Sequence, residues 1–321
     1  MPDVFSFQVE IRNRSRFRYR GDELSDRSVL VSLDKLSKNY GMTRGITDVS
    51  FDVYAGEVLG FLGPNGAGKT TAIRTLMGLI RATGGNATIL GQNALVPNPE
   101  LRREIGYLPG ISATYDRFTA RGYLQFVARM RGVDLDSSID KYGRRLDLEL
   151  DEHIHDLSKG NRQKVSVIQA FMHKPKVLFL DEPTSGLDPL VQREFELMLD
   201  EVRARGAAVV LSSHVLGEIE HLADRVVIID RGKVVIVDEI ATLKAKARRK
   251  INLFFEMTVS ASDFAGVSNV KELVADGNSI SCVVTGSEYE VLKRAVELGI
   301  HQVKTEDSSL EEIFLGLVGN T

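Results

Sequence analysis

The stretch Gly63-Pro64-Asn65-Gly66-Ala67-Gly68-Lys69-Thr70, with Thr71 behind it, fits the template G-x-x-x-x-G-K-[ST] at every fixed position. The residue types suit a phosphorylated ligand. Gly63, Gly66 and Gly68 let the backbone take conformations closed to other residues and come close to an anion. The N–H groups of the loop then converge as a concave nest. Lys69 adds a point charge for β- and γ-phosphates, and Thr70 supplies a hydroxyl for Mg²⁺.

A second chemical stretch is Lys176-Val177-Leu178-Phe179-Leu180-Asp181-Glu182-Pro183, an apolar run ending in two carboxylates. Asp181 is placed to hold Mg²⁺ through its water shell, and Glu182, one residue on, to orient or deprotonate an attacking water. The plainer alternative is a pair of carboxylates capping a helix. Weaker signals surround these. Ser158 and Gly160, within Leu157-Ser158-Lys159-Gly160-Asn161, stand at a helix start and make a second anion site. His214 follows Ser212-Ser213 at a strand end and is positioned to contact a γ-phosphate. Tyr40 has two readings, a platform for a nucleobase or an ordinary turn tyrosine. His153 and His155, two apart, suit a strand or loop surface better than a metal site. His173, His221 and His301 have no such context.

These residues need elements to hold them. Val29–Leu36 and Ile46–Tyr54 read as two antiparallel strands feeding a buried strand, Glu57–Leu62, that leads into the phosphate loop. Thr71–Leu79 reads as a helix whose positive end faces the phosphates. Asn86–Leu90 reads as a strand, and Leu101–Leu108 as another that ends at Pro109-Gly110. Thr119 is a candidate N-cap for a helix bearing Tyr123, Leu124, Phe126, Val127 and Met130 at helical spacing. Asp134–Leu150 reads as helical, and a further helix runs from Arg162 to Phe171. This helical block, about residues 110–160, predicts a subdomain standing off the sheet. Asp188-Pro189 turns into a helix over Val191–Ala204, Ala207–Leu211 is a buried strand, and Asp224–Val237 is a hairpin. The basic stretch Leu243–Lys250 reads as a solvated helix and linker. From Ile251 the pattern is strand, short helix, two strands, a helix over Glu288–Leu298, a strand at His301–Thr305 and a helix over Ser309–Val318.

Composition bounds the function. With 321 residues the chain has room for one large and one small domain, and 43% hydrophobic residues are ample for a core. A net charge of -3 gives no global nucleic-acid signal, so no specific nucleic-acid partner is expected. The sole cysteine, Cys282, excludes an internal disulfide and a cysteine metal site, and fits a reducing cytosol. No apolar run approaches the ~20 residues that span a bilayer. Residues 1–28 differ from the rest: Arg12, Arg14, Arg16, Arg18 and Arg20 alternate ahead of Asp22, Glu23 and Asp26. They read as a disordered N-terminal extension, or as a strand turning its arginines toward anionic lipid or nucleic acid.

Taken in order from Tyr40 to His214, these motifs resemble those of the ATP-binding subunits of ABC transporters. The resemblance implies an aromatic adenine platform at Tyr40 and a Walker A loop at Gly63 to Thr70. It makes Leu157 to Asn161 the signature motif. It makes Asp181 the Walker B aspartate, Glu182 the catalytic glutamate and His214 the switch histidine. Ser185 to Asp188 matches the dimer-contacting loop, so Asp188, like Ser158, Gly160 and Asn161, is expected at a nucleotide shared between two copies. Two departures stand out. The signature has Lys159 and Asn161 where glycine and glutamine are usual. In Tyr107-Leu108-Pro109-Gly110, Gly110 stands where the family carries a glutamine, or in some exporters a glutamate, that touches Mg²⁺ and the attacking water, with Ser112 or solvent a candidate substitute. The tail Ser309-Leu310-Glu311-Glu312-Ile313-Phe314 resembles that of the daunorubicin-resistance type of drug and antibiotic export ATPases.

The resemblance implies an α/β fold, a P-loop NTPase ABC ATPase domain over residues 29–240, with a mixed sheet core plus a helical subdomain and a small C-terminal α+β domain over 251–321. It implies ATP and Mg²⁺ as ligands, and hydrolysis coupled to export of a drug, antibiotic or lipid-like molecule. The implied partners are a separate membrane permease in trans and a second ATP-binding subunit, the same or different. The implied place is the cytoplasmic face of the cell membrane. The contact with the permease is expected in residues 111–130, with Tyr115, Phe118, Tyr123 and Phe126. Competing readings are a soluble ATPase of the same class acting on ribosomes or DNA, an importer ATPase, and a phosphoryl-transferring kinase.

Overall fold

The computed structural model of the chain describes residues 27–41, 43–110, 117–246, 248–285, 287–306 and 314. The arginine-rich extension, Ser112, Tyr115 and the expected helix over Ser309–Val318, Phe314 apart, lie outside the described residues. Strands β1 (Val29–Tyr40) and β2 (Thr43–Tyr54) pair antiparallel, with register shifts that explain their imperfect alternation. Next come β3 (Val58–Leu62) and α1 (Lys69–Leu76). The helix stops short of Leu79, because Gly78 turns to φ +65° and Arg102 donates to the carbonyl of Leu76. Strands β4 (Gly84–Ile89) and β5 (Gln92–Asn93) complete an antiparallel sheet ordered β2-β1-β4-β5.

The expected strand over Leu101–Leu108 is two elements. Its first residues belong to the short helix α2 (Pro99–Arg103), and only β6 (Ile105–Leu108) is extended. The cause is local: Asn98 accepts from the N–H of Leu101 and Pro99 occupies the first turn, an N-cap and a proline where a helix start wants them. The helical block holds α3 (Ala120–Met130), capped by Thr119 as expected, and α4 (Asp136–Arg145), shorter than the predicted span. Helix α5 (Lys159–Phe171) starts three residues ahead of the expected Arg162, because the Ser158 hydroxyl accepts from the N–H of Asn161 and caps it there.

Then follow β7 (Val177–Asp181), α6 (Pro189–Ala204), β8 (Ala208–Ser213), α7 (Leu216–Leu222), β9 (Arg225–Asp230) and β10 (Lys233–Glu239). The main sheet is six-stranded, ordered β10-β9-β3-β8-β7-β6, and every pairing is parallel except β10 with β9. Parallel strands covered on both faces read as unbroken apolar runs. Alternate residues go to opposite cores. Leu178, Leu180, Val209 and Leu211 face the core built with α3 to α6, while Phe179, Val210, Leu59 and Phe61 face the one built with α1 and the antiparallel sheet. Because β3, β6, β7 and β8 run in one direction, the phosphate loop, Gly110, Asp181 and His214 all leave the sheet at its carboxyl edge, where open α/β sheets bind ligands.

The first part of the basic stretch is helical as expected, in α8 (Ile240–Lys246), which buries Leu243, but the expected linker is not one: Arg248 to Lys250 begin strand β11 (Arg248–Phe255). A 3₁₀ turn at Ala261–Phe264, β12 (Val270–Asp276), β13 (Ser279–Thr285), α9 (Tyr289–Glu297) and β14 (Ile300–Glu306) follow. They form an antiparallel sheet, β12-β13-β11-β14, whose core holds Ile251, Leu253, Phe255, Ile280, Cys282 and Val284 against Val291 and Ala295 of α9. Phe314 packs back on the core that contains Ile219, Ile240 and Leu243. No helix among the described residues is long and apolar enough to cross a membrane.

Candidate functional site

At the carboxyl edge of the main sheet a cleft of about 300 Å³ is lined by Pro64 to Thr71 together with Gly110, Asp181 and Glu182. Gly45 and Arg74 also line it, and neither was singled out from the sequence. Gly68 takes φ +113°, a conformation that side chains rarely adopt, and a Cβ there would lie 2.7 Å from Ile46 Cγ2. That turn aims α1 at the cleft. Lys69 is 6% exposed and its Nζ donates to the carbonyls of Gly63 (2.5 Å) and Pro64 (3.3 Å), curled over its own loop. Burial pulls its ammonium pKa below the ordinary lysine value, opposed by the charges of Glu182 and Asp181.

Asp181 is buried and bound on both oxygens. Thr70 Oγ1 donates to Oδ2 at 2.8 Å, and Ser212 Oγ donates to Oδ1. The chemistry of these donors fits Mg²⁺. Magnesium takes one or two protein oxygens and fills its octahedron with water and substrate phosphate. Thr70 and Asp181 present a hydroxyl and a carboxylate side by side next to a phosphate loop. Ser212 was missed from the sequence because its role depends on β8 pairing with β7, which sets Asp181 opposite Ser212.

Glu182 sits at φ +52°, in the left-handed region that costs a non-glycine residue about 1 kcal/mol or more. Its N–H donates to the Ser212 carbonyl at 3.0 Å, and Gln163 Nε2 donates to the carbonyls of Glu182 (3.4 Å) and Pro183 (2.9 Å). So held, the Glu182 side chain meets His214, Nδ1 to Oε2, at 2.8 Å. A carboxylate only accepts, so Nδ1 carries the proton of this bond. Tyr40 lies at the rim: it is exposed, and its ring edge falls 3.3 Å from where a Cβ on Gly45 would be. Lys38 Nζ stands 5.0 Å from the ring centroid.

The remaining expected residues do not line this cleft. Ser158 caps α5 by accepting from the N–H of Asn161 in its first turn, and Asp188 caps α6 by accepting from the N–H groups of Leu190 and Val191. They form a group of their own: a Cβ on Gly160 would come 2.7 Å from the carbonyl oxygen of Gly186, so the first turn of α5 and the loop before α6 touch where a glycine leaves room. Of the expected contact aromatics, Tyr123 is core, 4% exposed, with its hydroxyl 2.7 Å from Gln169 Oε1, while Phe118 and Phe126 stay at the surface with ring centroids 5.7 Å apart. His153 and His155 have ring centroids 5.5 Å apart, and among the described residues no group of three or more His, Cys, Asp and Glu is arranged to hold a metal ion.

Comparison with known proteins places this geometry. The family described as "ABC transporter" matches residues 46–185. An uncharacterised ABC transporter ATP-binding protein, YhcH of Bacillus subtilis (strain 168), is 34% identical over 304 residues, 91% of this chain and 97% of that protein. The bacitracin transport ATP-binding protein BcrA of Bacillus licheniformis is 33% identical over 303 residues, 91% of this chain and 98% of that protein. Among solved structures, one described as the ATP binding subunit of an ABC transporter superposes with a TM-score of 0.64 at 30% identity, covering 67% of this chain and 92% of that one.

Proposed function

The chain belongs to the family of ABC transporter ATP-binding proteins, and from that premise we propose that it powers export of a drug-like, antibiotic or lipid-like molecule through a separate membrane permease. One observation carries the export reading. The likeness to the bacitracin transport protein runs along 98% of that protein, so it takes in the C-terminal sheet as well as the matched 46–185 core.

In this reading Lys69 leaves the carbonyls of its own loop for the β- and γ-phosphates of ATP, and the loop N–H groups hold the rest. Thr70 and Asp181 would hold Mg²⁺, which supplies charge neutralisation at the phosphates. Glu182 orients the attacking water and accepts its proton. His214, anchored to Glu182, donates toward the γ-phosphate. Tyr40 stacks on the adenine. Ser158, Gly160, Asn161 and Asp188 serve a second copy: lying away from their own cleft, they close on the nucleotide of a head-to-tail partner. The permease contact is the exposed edge of the helical block around Phe118 and Phe126.

The test has two arms. Purified Glu182→Gln binds ATP with its affinity kept and loses about 10²-fold or more in turnover, the scale of a lost general base, whereas Lys69→Ala weakens binding itself. Near-normal turnover in Glu182→Gln removes the role given to that residue. Co-expressed with a permease encoded beside it, the wild-type chain moves to the membrane fraction and lowers cellular accumulation of the exported compound. Raised accumulation favours an importer, and co-purification with ribosomes favours a translation-linked ATPase.

A further inference from the structure

Beneath the Glu182–His214 pair one carboxylate joins the two segments that carry it. Thr184 Oγ1 donates to Glu218 Oε1, and Ser213 Oγ donates to Glu218 Oε2 at 2.7 Å. Thr184 lies two residues after Glu182, and Ser213 directly precedes His214. Ser213 Oγ also accepts from the N–H of Val215 at 3.0 Å, so His214 is pinned on both sides. Glu218 stands in the first turn of α7, whose Ile219 is wholly buried in the core under β3. The fork is therefore mounted on the body of the molecule and not on a loop. Its donors are enclosed, Ser213 at 0% and Thr184 at 9% exposure, so a hydroxyl proton released there has no water to replace its acceptor.

We infer that Glu218 is a positioning residue for hydrolysis: its two oxygens fix the Glu182 turn relative to His214. The left-handed backbone at Glu182 makes such a brace necessary. A strained residue keeps its conformation only when its surroundings over-determine it. On the amino side Glu182 is held by Ser212, on its own carbonyl by Gln163, and further along the chain the hold passes through Thr184 to Glu218. The chemistry of the fork calls for a carboxylate, which accepts on both oxygens at once. An amide accepts on one only and makes one hydroxyl turn its proton away. Glu218 touches neither cleft nor substrate, and acts through the pair.

The inference rests on the ATPase reading above, and the experiment keeps the two apart. In the full chain, Glu218→Ala lowers kcat for ATP about tenfold or more with KM within about twofold, the split expected when only transition-state alignment is lost. Affinity for a fluorescent ATP analogue stays near the parent value, while the thermal midpoint falls by a few degrees because two enclosed hydroxyls lose their acceptor. Glu218→Gln recovers part of the rate. Placed in the Glu182→Gln chain, Glu218→Ala costs nothing further, because residues acting as a unit are not additive. A kcat within twofold of the parent, losses that multiply in the double variant, or a fall in nucleotide affinity matching the fall in rate each overturns the inference. If Glu218→Ala does not fold, Ser213→Ala, which removes one prong, carries the same measurements. Normal turnover in Glu182→Gln alone would sink the role of Glu182, a result separate from any of these.

Discussion

Gly110 stands where the resembled family carries a glutamine, and the space before it is already taken. A Cβ built there would lie 3.2 Å from Asp181 Oδ2, closer than the carboxylate accommodates without moving. Asp181 has little freedom to move, since Thr70 and Ser212 hold both its oxygens. Gly110→Gln therefore strains the metal-side carboxylate and does not restore a missing function. A displaced Asp181 that raises the barrier by about 1.4 kcal/mol lowers turnover about tenfold, and the Mg²⁺ concentration for half-maximal rate rises. Unchanged kinetics and an unchanged Mg²⁺ titration would show the loop to be marginal to hydrolysis. At this scale the phosphate loop, Asp181, Glu182 and His214 were legible because their spacing is fixed by one strand or one turn. Ser212, Gln163 and Glu218 were not. They act across strand or helix contacts, and a lone hydroxyl, amide or carboxylate carries no periodic signal.

The junction of α2, β6 and α3 is tied by buried polar groups. Arg131, just past α3, donates to the carbonyls of Arg102 (3.3 Å), Arg103 (3.1 Å) and Ile105 (3.3 Å), and His173 Nε2 donates to the Ile105 carbonyl at 3.1 Å. His173 Nδ1 is buried with no hydrogen-bond partner. Burial, helped by the charge of Arg131, lowers the His173 pKa from 6.5 to about 4. The imidazole of the unfolded chain then takes up a proton below pH 6.5 that the native state refuses until about pH 4. Stability contributed by neutral His173 is present above pH 6.5 and is lost as pH falls toward 4. The loss is about 2 kcal/mol by pH 5. Denaturant midpoints at pH 7 and pH 5 check this: His173→Gln, which keeps a donor and cannot titrate, shows a smaller drop than the parent. Equal drops would mean that the proton sits elsewhere. The buried strands of this layer were legible as apolar runs. Helix α2 was missed because its helical turn is too short to show a period, leaving the cap Asn98-Pro99 as its only sign.

The molecule as a whole presents its phosphate-loop cleft at one sheet edge and exposed apolar side chains on the helical block. Met130 is 71% exposed, Val133 45% and Phe126 39%, three apolar side chains open to solvent along and just past the end of α3. Met130→Asp together with Phe126→Asp is expected to abolish the shift to the membrane fraction on co-expression with the permease and to leave basal ATP hydrolysis unchanged. A retained shift would move the contact to another face. The strands and helix of the small sheet were legible from the pattern after Ile251, but the way the chain enters that sheet at Arg248 was not. A run of basic residues reads as solvent-facing whether it lies on a strand or a helix. The small sheet has one more consequence. Its Cys282 is the sole thiol in the chain, wholly buried, with burial pushing its pKa up to about 11. Thiolates are what maleimides and nitroxide reagents attack, so the native protein is silent to spectroscopic tagging at neutral pH. Asn65→Cys in the phosphate loop and Asn161→Cys in the first turn of α5 then give reporters free of background. In the proposed head-to-tail pair the gap between one copy's cleft and the other's α5 becomes a distance readable by resonance energy transfer or paired spins, with no native cysteine to remove first.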